Sequence, residues 1–578
     1  MPVENAEIAR LFRQTADLLE LKAANPFRIR AYQGAARTVE ELPQPVEELL
    51  AAGDGKRLKE LPGIGPDLAG KIEEIVNTGT FSTLAQLERK VPRGLTRLIQ
   101  VRGLGPKRAL ALYRRLGIHT LGQLERACRA GKIAKLRGFG GKTQANILRE
   151  LLAHRTGETR MLRPVAAQYG ETFLQYLRAM DGVGQAEIAG SYRRCKETVG
   201  DLDILVTCRE AGAAVRRFVT YPEVSEILAR GPTRASVRLR CGLQVDLRVL
   251  AEQCYGAGLF YFTGSKAHNI AVRRLGLRQG LRINEYGVWR NKRRIASRTE
   301  ADVLRAVGLP WIPPELREAR GEIEAALKGT LPVLVELGDI RGDLQSHTTD
   351  SDGRSTLAEM AEAAAERGYE YLAVTDHTPR VRVTGGLDRA GFRRQMNRID
   401  RLNARSRKLT VLKGAEVDIL PDGTLDLDDD TLAALDLVVI SVHSAFELPE
   451  RQQTRRLLRA LRHATVDILA HPTSRLIGRR DGIRFDREQV YRAAAEHGVL
   501  LEVNGQPDRL DLDDVAVHAA TSLGATLAIS TDAHAVAELG FMRWGVDQAR
   551  RGWAEKHQIA NTRPLASLLK LLHRARRR

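Results

Sequence analysis

The sequence is poor in cysteine, and its cysteines are confined to the first half: Cys128, Cys195, Cys208, Cys241 and Cys254 in a chain of 578 residues. An odd count of five with no Cys-x-x-Cys pair argues against a disulfide scaffold and reads as reduced, mostly buried thiols. Because none follows Cys254, any metal site in the second half must be built from nitrogen and oxygen ligands. Long apolar runs are missing too. No stretch approaches the roughly 18 uncharged apolar residues that a membrane span would need. The opening MPVENAEIARLFR lacks the basic-then-apolar order of a signal peptide, and no tract is of low complexity. These absences predict a cytoplasmic protein with no membrane partner. The length is too great for one compact core, so three or four domains are expected.

What is present is unevenly placed. The formal charge is +20, yet residues 336–578 hold 36 Lys and Arg against 36 Asp and Glu, so the whole excess lies in residues 1–335. Such a basic region predicts a polyanionic partner whose binding releases counterions. An arginine-rich surface of thermophile-like or GC-biased origin is the plainer reading. Histidine runs the other way, with ten of 13 at or after His347. Two chemistries in two places are implied.

Residues 5–52 carry apolar side chains at helical spacing, among them Ile8, Leu11, Phe12, Leu18 and Leu19. Three similar loops follow: LPGIGPDLAGKI from Leu61, VRGLGPKRALAL from Val101 and LRGFGGKTQANIL from Leu136. Each sets Gly-hydrophobic-Gly between an apolar residue and a helix-like run. Two glycines at that spacing permit a tight turn that brings backbone N–H groups close to a phosphate, and the next helix N-terminus adds its dipole. Gly63, Gly65, Gly103 and Gly105, with Lys107 beside them, are therefore candidate contacts to a DNA backbone, gripping it without reading bases. One such loop is an ordinary helix–helix turn; three in a basic region favour nucleic acid.

Strand-like segments come next: AEIAGSY ending at Tyr192, DLDILVT from Asp201, and RLRCGLQVDLRVL from Arg238. The run GLPWIPPELREARGE from Gly308 holds three prolines and reads as a connector. Beyond residue 335 short apolar runs (YLAVTDH, TVLKGAEVDI, LDLVVISVHS, VDILAHP, GVLLEVN, ATLAISTDAH) alternate with helical ones, which predicts a parallel, barrel-type α/β domain.

The most specific segment is GSYRRCKETVGDLDILVT from Gly190. Asp201 and Asp203 are two apart on a strand, so both project from one face, and Asp246 lies on another strand expected to pair nearby. Three converging carboxylates can hold two divalent cations, one activating an attacking hydroxyl and one holding a triphosphate. Asp-x-Asp alone is more often a solvated edge. Gly190-Ser191, nine residues, then Asp-x-Asp among apolar strand residues is the nucleotidyltransferase signature.

The continuation YFTGSKAHNIAVRRLGLRQGLRINEYGV from Tyr261 closely resembles the family X DNA polymerases of the polymerase-beta type, a likeness that spans roughly residues 5–308. That resemblance implies Mg2+ or Mn2+ on Asp201, Asp203 and Asp246, with Asp246 on the catalytic ion. It implies that Ser191 and Arg194 bind triphosphate, with Arg160 as a third contact, and that Gly200 and Gly264 belong to the nucleotide pocket. Tyr261 and Phe262 would sit at the sugar and disfavour a ribose 2′-hydroxyl, Asn269 would contact the incoming nucleotide, and Arg273 the template side. Lys71 aligns with the family's lysine that forms a Schiff base with an abasic sugar. Asp67 replaces a neighbouring lysine of that pattern, and a solvated helix lysine is the alternative reading of Lys71.

In the second half, GDLQSHTTDSDG, TDH, GAEVDI, SVHS, AHPT and STDAH supply His347, Asp352, His377, Glu416, His443, His471, Asp532 and His534. Nearly all follow an apolar strand, and barrel strands present active-site residues at their C-terminal ends. A lone histidine is usually structural; five with three carboxylates at successive strand ends are a ligand set. The set resembles the polymerase-and-histidinol-phosphatase (PHP) domain, which implies a distorted parallel (β/α)7-type barrel holding up to three metals. Imidazole with carboxylate suits manganese, zinc or iron better than magnesium alone. That family often opens with His-x-His; here Gln345 takes the first position, and Asp343 is the nearest residue able to compensate.

The expectation is thus a multidomain α and α/β protein. Residues 1–90 form a helical small domain with the first hairpin, 91–155 a fingers-like hairpin region, 156–255 a nucleotidyltransferase palm, 256–308 a thumb, 309–335 a linker and 336–570 the PHP barrel. The expected activity is DNA-directed DNA polymerase filling short gaps in repair. It would act as a monomer on gapped or primer-template DNA with deoxynucleoside triphosphates. The barrel would add a manganese- or zinc-dependent 3′–5′ exonuclease, with abasic-site endonuclease action as an extension. The competing readings are a vestigial structural barrel, a non-catalytic DNA-end scaffold and a small-molecule phosphatase.

Overall fold

The structure, a computed structural model, describes every residue except 1–4, 23, 41–45, 47–49, 51–57, 60, 62, 93–94, 96–97, 99–100, 102–103, 137, 142, 146, 149–150, 152–159, 381–384, 407 and 573–578. The amphipathic helices Asn5–Leu21 and Pro26–Glu40 open a helical region whose core runs from Ile8 and Phe12 through Ile72 and Phe81 to Leu112 and Ile147. The three glycine loops share one closing hydrogen bond. Ile64 N–H donates to Leu61 O at 3.0 Å, Leu104 to Val101 at 2.9 Å and Phe139 to Leu136 at 2.9 Å. The hydrophobic residue of each loop is thereby buried, and the glycine behind it starts the next helix: Gly65 caps Pro66–Thr78 and Gly105 caps Pro106–Leu116, each followed by proline at the first turn.

The palm is a five-stranded sheet made of β1 (Val183–Ile188), β2 (Asp201–Cys208), β3 (Val224–Arg230), β4 (Arg234–Leu239) and β5 (Gln244–Leu250), ordered β1-β2-β5-β4-β3. The central pair β2 and β5 is parallel and the outer pairings are antiparallel. Period-two alternation puts Leu202, Ile204 and Val206 into a core with Phe173 and Phe218 and leaves Asp201 and Asp203 on the other face. Two sequence expectations change here. The stretch from Arg238 is two strands, because the turn at Gly242 (φ 90°) reverses the chain. AEIAGSY is strand only to Ile188, since Gly190 (φ 64°) diverts Gly190–Arg193 into a helical turn.

The thumb packs helices Tyr255–Thr263 and Lys266–Arg278 on an antiparallel sheet of β6 (Leu281–Asn284), β7 (Gly287–Arg290) and β8 (Arg293–Ala296). Residues 309–335, read from their prolines as a connector, are packed rather than loose. Leu309, Ile312, Leu316 and Ile323 share the core of Phe260, Val272 and Ile283, and the fully buried Arg317 donates to Glu300 at 2.6 Å. The prolines shape turns between buried anchors, a role composition does not distinguish from that of a free linker.

The C-terminal region is a seven-stranded parallel sheet in chain order: β9 (Gly342–Asp343), β10 (Tyr371–Val374), β11 (Thr410–Asp418), β12 (Leu437–Ser441), β13 (Ile468–Leu469), β14 (Leu500–Asn504) and β15 (Leu527–Ser530). It curls into a nearly closed barrel, with Ser346 bridging Ala533 to bring the last strand back to the first. Tyr371, Ala373, Leu437 and Val439 fill the inside together with Leu568 and Leu572, while Leu372, Val374, Val438 and Ile440 face the surrounding helices. Palm and barrel meet along the helix Met542–Arg551, where Trp544 packs with Ala167 and Leu510, Arg163 pairs with Asp547, and Arg543 lies 2.9 Å from Glu171. No described helix is long and apolar enough to cross a membrane.

Candidate active sites

In the palm, Asp203 and Asp246 are direct cross-strand partners on the parallel pair β2 and β5, and Asp201 stands two residues before Asp203 on the same face. Packing three carboxylates together has an electrostatic cost. Burial, then the charges of Asp201 and Asp246, push Asp203 up to about 7, and burial with Asp246 raises Asp201 as well. Asp246 is steadied by Ser236 Oγ and by Gln244 Nε2 at 3.1 Å. The trio does not close to the 4.8 Å donor spacing reached in the barrel. Gly190 packs directly behind it: a Cβ there would lie 2.7 Å from Asp203 Oδ2.

Around this face lie three polar atoms that are buried and without hydrogen-bond partners, Ser191 Oγ, Arg248 Nε and Asn269 Oδ1. Buried polar atoms are almost always paired, so these are poised for a ligand, and the donor-rich surround fits a triphosphate with divalent cations. Asn269 Nδ2 donates to Tyr261 O at 2.7 Å. The Tyr261 and Phe262 rings meet edge-on at 5.3 Å, with Arg248 over Phe262. Arg194 reaches Thr263 O at 2.5 Å and Glu318 at 3.0 Å, alongside Gly264. Arg160 is held by Thr198 next to Gly200. Arg273 is exposed on the thumb helix.

In the helical region Gly63 takes φ 76° and Lys107 is exposed, 3.8 Å from Glu20; Gly103 lies outside the described residues. Lys71, on the helix capped by Gly65, is ion-paired with Asp67, the residue that departs from the family pattern.

The barrel brings all eight expected ligands together. His347 Nε2 lies 3.1 Å from Asp532 and 3.3 Å from Glu416, and His443 and His471 approach Glu416 at 3.3 and 3.0 Å. Asp352 lies 3.7 Å from His377 and 3.5 Å from His534. Three overlapping groups have donor atoms within 4.8 Å: His347, Asp352, His377 and His534; His377, Glu416 and His443; His347, Glu416 and Asp532. Burial alone would raise the Glu416 carboxyl, but the imidazoles of His377, His443 and His347 hold it well below the usual range. The Nδ1 atoms of His347, His377 and His471 and both amide atoms of Gln345 are buried and unpartnered, and a set of imidazoles and carboxylates with free donors fits divalent cations. Asp343 does not join any of these groups; its carboxylate is bound to Thr531. His471 (φ 27°) and Asp532 (φ 54°) sit in backbone conformations that side-chain-bearing residues rarely adopt, strain of a kind that clusters at functional sites.

Sequence reasoning missed the residues that brace this set. Asp376 accepts from Thr348 N–H at 2.8 Å, Ser351 Oγ at 2.5 Å and Gln395 at 2.5 Å, steadying the loop that carries Asp352. Asp418 accepts His443 N–H at 3.1 Å. Glu502 accepts His471 N–H at 2.5 Å and is pushed well above the carboxylate range by burial and then by Asp532. The signal for Glu502 was available: it is a lone carboxylate in the apolar strand VLLEVN.

The fold and its two sites define a palm-and-thumb nucleotidyl-transfer enzyme that carries a second, histidine-rich barrel. Family models match in the same order: helix-hairpin-helix domain at 3–81, SAM-like helix-hairpin-helix tandem at 95–151, DNA polymerase beta palm at 160–236, DNA polymerase beta thumb at 258–318 and PHP domain at 343–506. The chain is 38% identical over 572 residues to the DNA polymerase/3′–5′ exonuclease PolX of Bacillus subtilis, covering 98% of this chain and 99% of that one. It is 28% identical to DNA polymerase lambda of Arabidopsis thaliana, over 50% of this chain and 57% of that protein. A probable phosphatase of Photobacterium profundum matches 34% of this chain at 30% identity, over 80% of its own length. The chain belongs to the PolX family.

Proposed function

We propose that this protein is a template-directed DNA polymerase that fills short gaps during repair and trims 3′ ends in its barrel. It would be a monomer working in the cytoplasm on gapped or primer-template DNA with deoxynucleoside triphosphates. The observation that carries the polymerase is the register placing Asp203 opposite Asp246 with Asp201 on the same face. Extension is in-line attack of a primer 3′-hydroxyl on the α-phosphorus, with pyrophosphate leaving. Magnesium or manganese on Asp201, Asp203 and Asp246, and manganese or zinc, up to three ions, on the barrel set, would activate the attacking oxygen and offset phosphate charge when bound.

The chain's own residues do the rest. Ser191 and Arg194 bind the triphosphate, with Arg160 next to them. Gly200 and Gly264 leave room, Asn269 holds the nucleotide through its free Oδ1, Tyr261 and Phe262 wall the sugar, and Arg273 meets the template. The hairpin turns at Gly63–Gly65 and Gly103–Gly105, with Lys107, hold the duplex backbone. Lys71 stands ready for an abasic sugar only when released from Asp67. In the barrel, His347, Asp352, His377, Glu416, His443, His471, Asp532 and His534 hold the ions, and Gln345 is a weaker, neutral donor at the family's histidine position. We take 1–90, 91–155, 156–255 and 256–308, with 309–335 docked on the thumb, and 336–570 as the functional units.

Primer extension tests the palm. The double variant Asp201→Ala, Asp203→Ala should lose extension by at least about a thousandfold, as expected when electrostatic stabilisation of the reacting phosphate is removed, while shortening of DNA persists. Unchanged extension overturns the polymerase reading. The converse pair, His347→Ala with His377→Ala, should abolish DNA shortening and leave extension intact. The likeness to a probable phosphatase supports a second reading of the barrel, phosphomonoester hydrolysis. It is preferred if the wild-type barrel releases phosphate from a monoester but leaves phosphodiesters whole.

A further inference from the structure

Between the barrel mouth and the edge of the palm lies a cavity of about 410 Å3, walled by residues 475–478 and 480–485, with palm Glu197, Glu450 and the ion pair of Arg487 with Asp513 adding to its lining. Its wall includes Thr473, two residues beyond the candidate ligand His471. The arginines there are not equivalent. Arg475 is built in, 2.7 Å from Glu197 and donating to the carbonyl oxygens of Arg509 and Leu510. Arg480 and Arg484 are not. Arg484 is exposed and has no partner among the described residues. Arg480 donates Nε–H to Ser474 O at 2.9 Å and lies over the Phe446 ring at 4.1 Å, but makes no ion pair among the described residues.

Arg509 is outside the cavity lining but close enough for its charge to act on Arg480. Its Nη1 is buried without a hydrogen-bond partner, and its Nε is 3.8 Å from Asp532 Oδ2, an oxygen already bonded to Asn504. Its charge bears on both Arg480 and His471. Burial and then Arg509 pull the Arg480 guanidinium below its ordinary value, although Asp508 and Asp511 act the other way. Two guanidiniums held in mutual repulsion at a half-buried site, one with a free donor, are an arrangement that an anion relieves. The planar donor fork of arginine matches phosphate oxygens. Arg509 thus connects Arg480 at the cavity to Asp532, a member of the histidine-rich set.

Resting on the nuclease reading of the barrel, we propose that this cavity binds the backbone of the DNA strand being shortened. Arg484 and Arg480 hold phosphodiesters of the retained strand, and Arg509 holds the phosphodiester that enters the histidine-rich site. The cavity has the size of a small-ligand site. It offers no free aromatic face for stacking, since Arg480 covers Phe446 and Phe485 is buried. The grip is therefore on phosphates and independent of sequence.

The test uses the full chain and a 5′-labelled single-stranded oligonucleotide, with shortening followed against oligonucleotide and salt concentration in Mn2+. In Arg480→Gln with Arg484→Gln, KM should rise about tenfold with kcat little changed, and the log–log salt dependence of kcat/KM should flatten by about one to two, as expected for lost phosphate contacts. Arg509→Lys keeps the charge but not the fork, and should lower kcat less than Arg509→Gln does. Primer extension by every variant should match the wild type, which guards against misfolding. Unchanged KM and salt dependence in the double variant overturns the proposal. So does a change confined to inhibition by free deoxynucleoside monophosphate, which would make the cavity a product site. If the wild type shortens no DNA, the nuclease reading fails on its own account. Equilibrium binding of the same oligonucleotide then decides this one: equal affinity in wild type and double variant overturns it, and roughly tenfold weaker binding in the variant sustains it.

Discussion

Gly190 stands where strand β1 has ended and the palm carboxylates begin. Its φ of 64° is one that only glycine adopts without strain, and a methyl group there would meet Asp203 Oδ2 at 2.7 Å. Gly190→Ala should therefore tilt the turn that carries Ser191 and crowd the carboxylate at once. We expect a loss of at least about tenfold in kcat for extension and about 1–3 kcal/mol of stability, with DNA shortening by the barrel unchanged. An extension rate within twofold of wild type would show that the turn relaxes freely. The Gly-Ser pair was legible as a phosphate-approach motif, but the contact between Gly190 and Asp203 was not, because it depends on how a turn folds back across a strand. Gln345 marks the opposite limit. Its departure from the family's histidine was visible at once, whereas the commitment of Asp343 to Thr531, which removes the nearest compensating carboxylate, needed the closed barrel.

At the scale of elements, the barrel was largely readable and the junction with the palm was not. Six of the seven strands announced themselves as apolar runs, five of them with candidate ligands; the first, Gly342–Asp343, is too short to carry a pattern. The junction is built from charged residues that look like solvated surface in sequence. Arg551 is 3% exposed, donates to the Arg194 carbonyl and to Glu318 at 3.1 Å, and pairs with Asp514 at 2.6 Å. It thus ties the barrel to the arginine proposed to bind triphosphate. Burial would raise both carboxyls, but Arg194 and Arg551 lower Glu318, and Arg551 and Arg320 lower Asp514. A depressed carboxyl contributes stability that is fully present above its unfolded value and is lost as pH falls through the folded one. Arg551→Met should therefore cost about 1–3 kcal/mol near neutrality and raise KM for the incoming nucleotide. The stability gap to wild type should narrow once pH drops below the ordinary values of 4.5 for Glu318 and 3.8 for Asp514. Denaturant unfolding across that pH range reads both signs; a gap independent of pH would assign the loss to packing.

For the whole molecule, charge and catalysis are divided differently. Residues 1–335 carry the entire +20, while residues 336–578, which supply the more elaborate ligand set, balance 36 basic against 36 acidic residues. Duplex binding should accordingly be an affair of hairpins, palm and thumb, with the barrel receiving only the strand end. If the N-terminal part neutralises six to ten phosphates, affinity for gapped DNA should fall by about 10³–10⁵ between 50 and 200 mM salt. The barrel variant His347→Ala with His377→Ala removes no fixed cation from that surface, so its affinity and salt slope should equal those of the wild type. A titration of labelled gapped DNA at several salt concentrations, in chelator so that nothing turns over, measures this directly. A slope flattened by several units in the barrel variant would mean that the neutral half shares the duplex, and the division of labour drawn from the charge distribution would fail. A preserved slope together with lost shortening would place the grip on the duplex and the trimming of the strand end in separate halves of one chain, linked across the packed junction at Arg551.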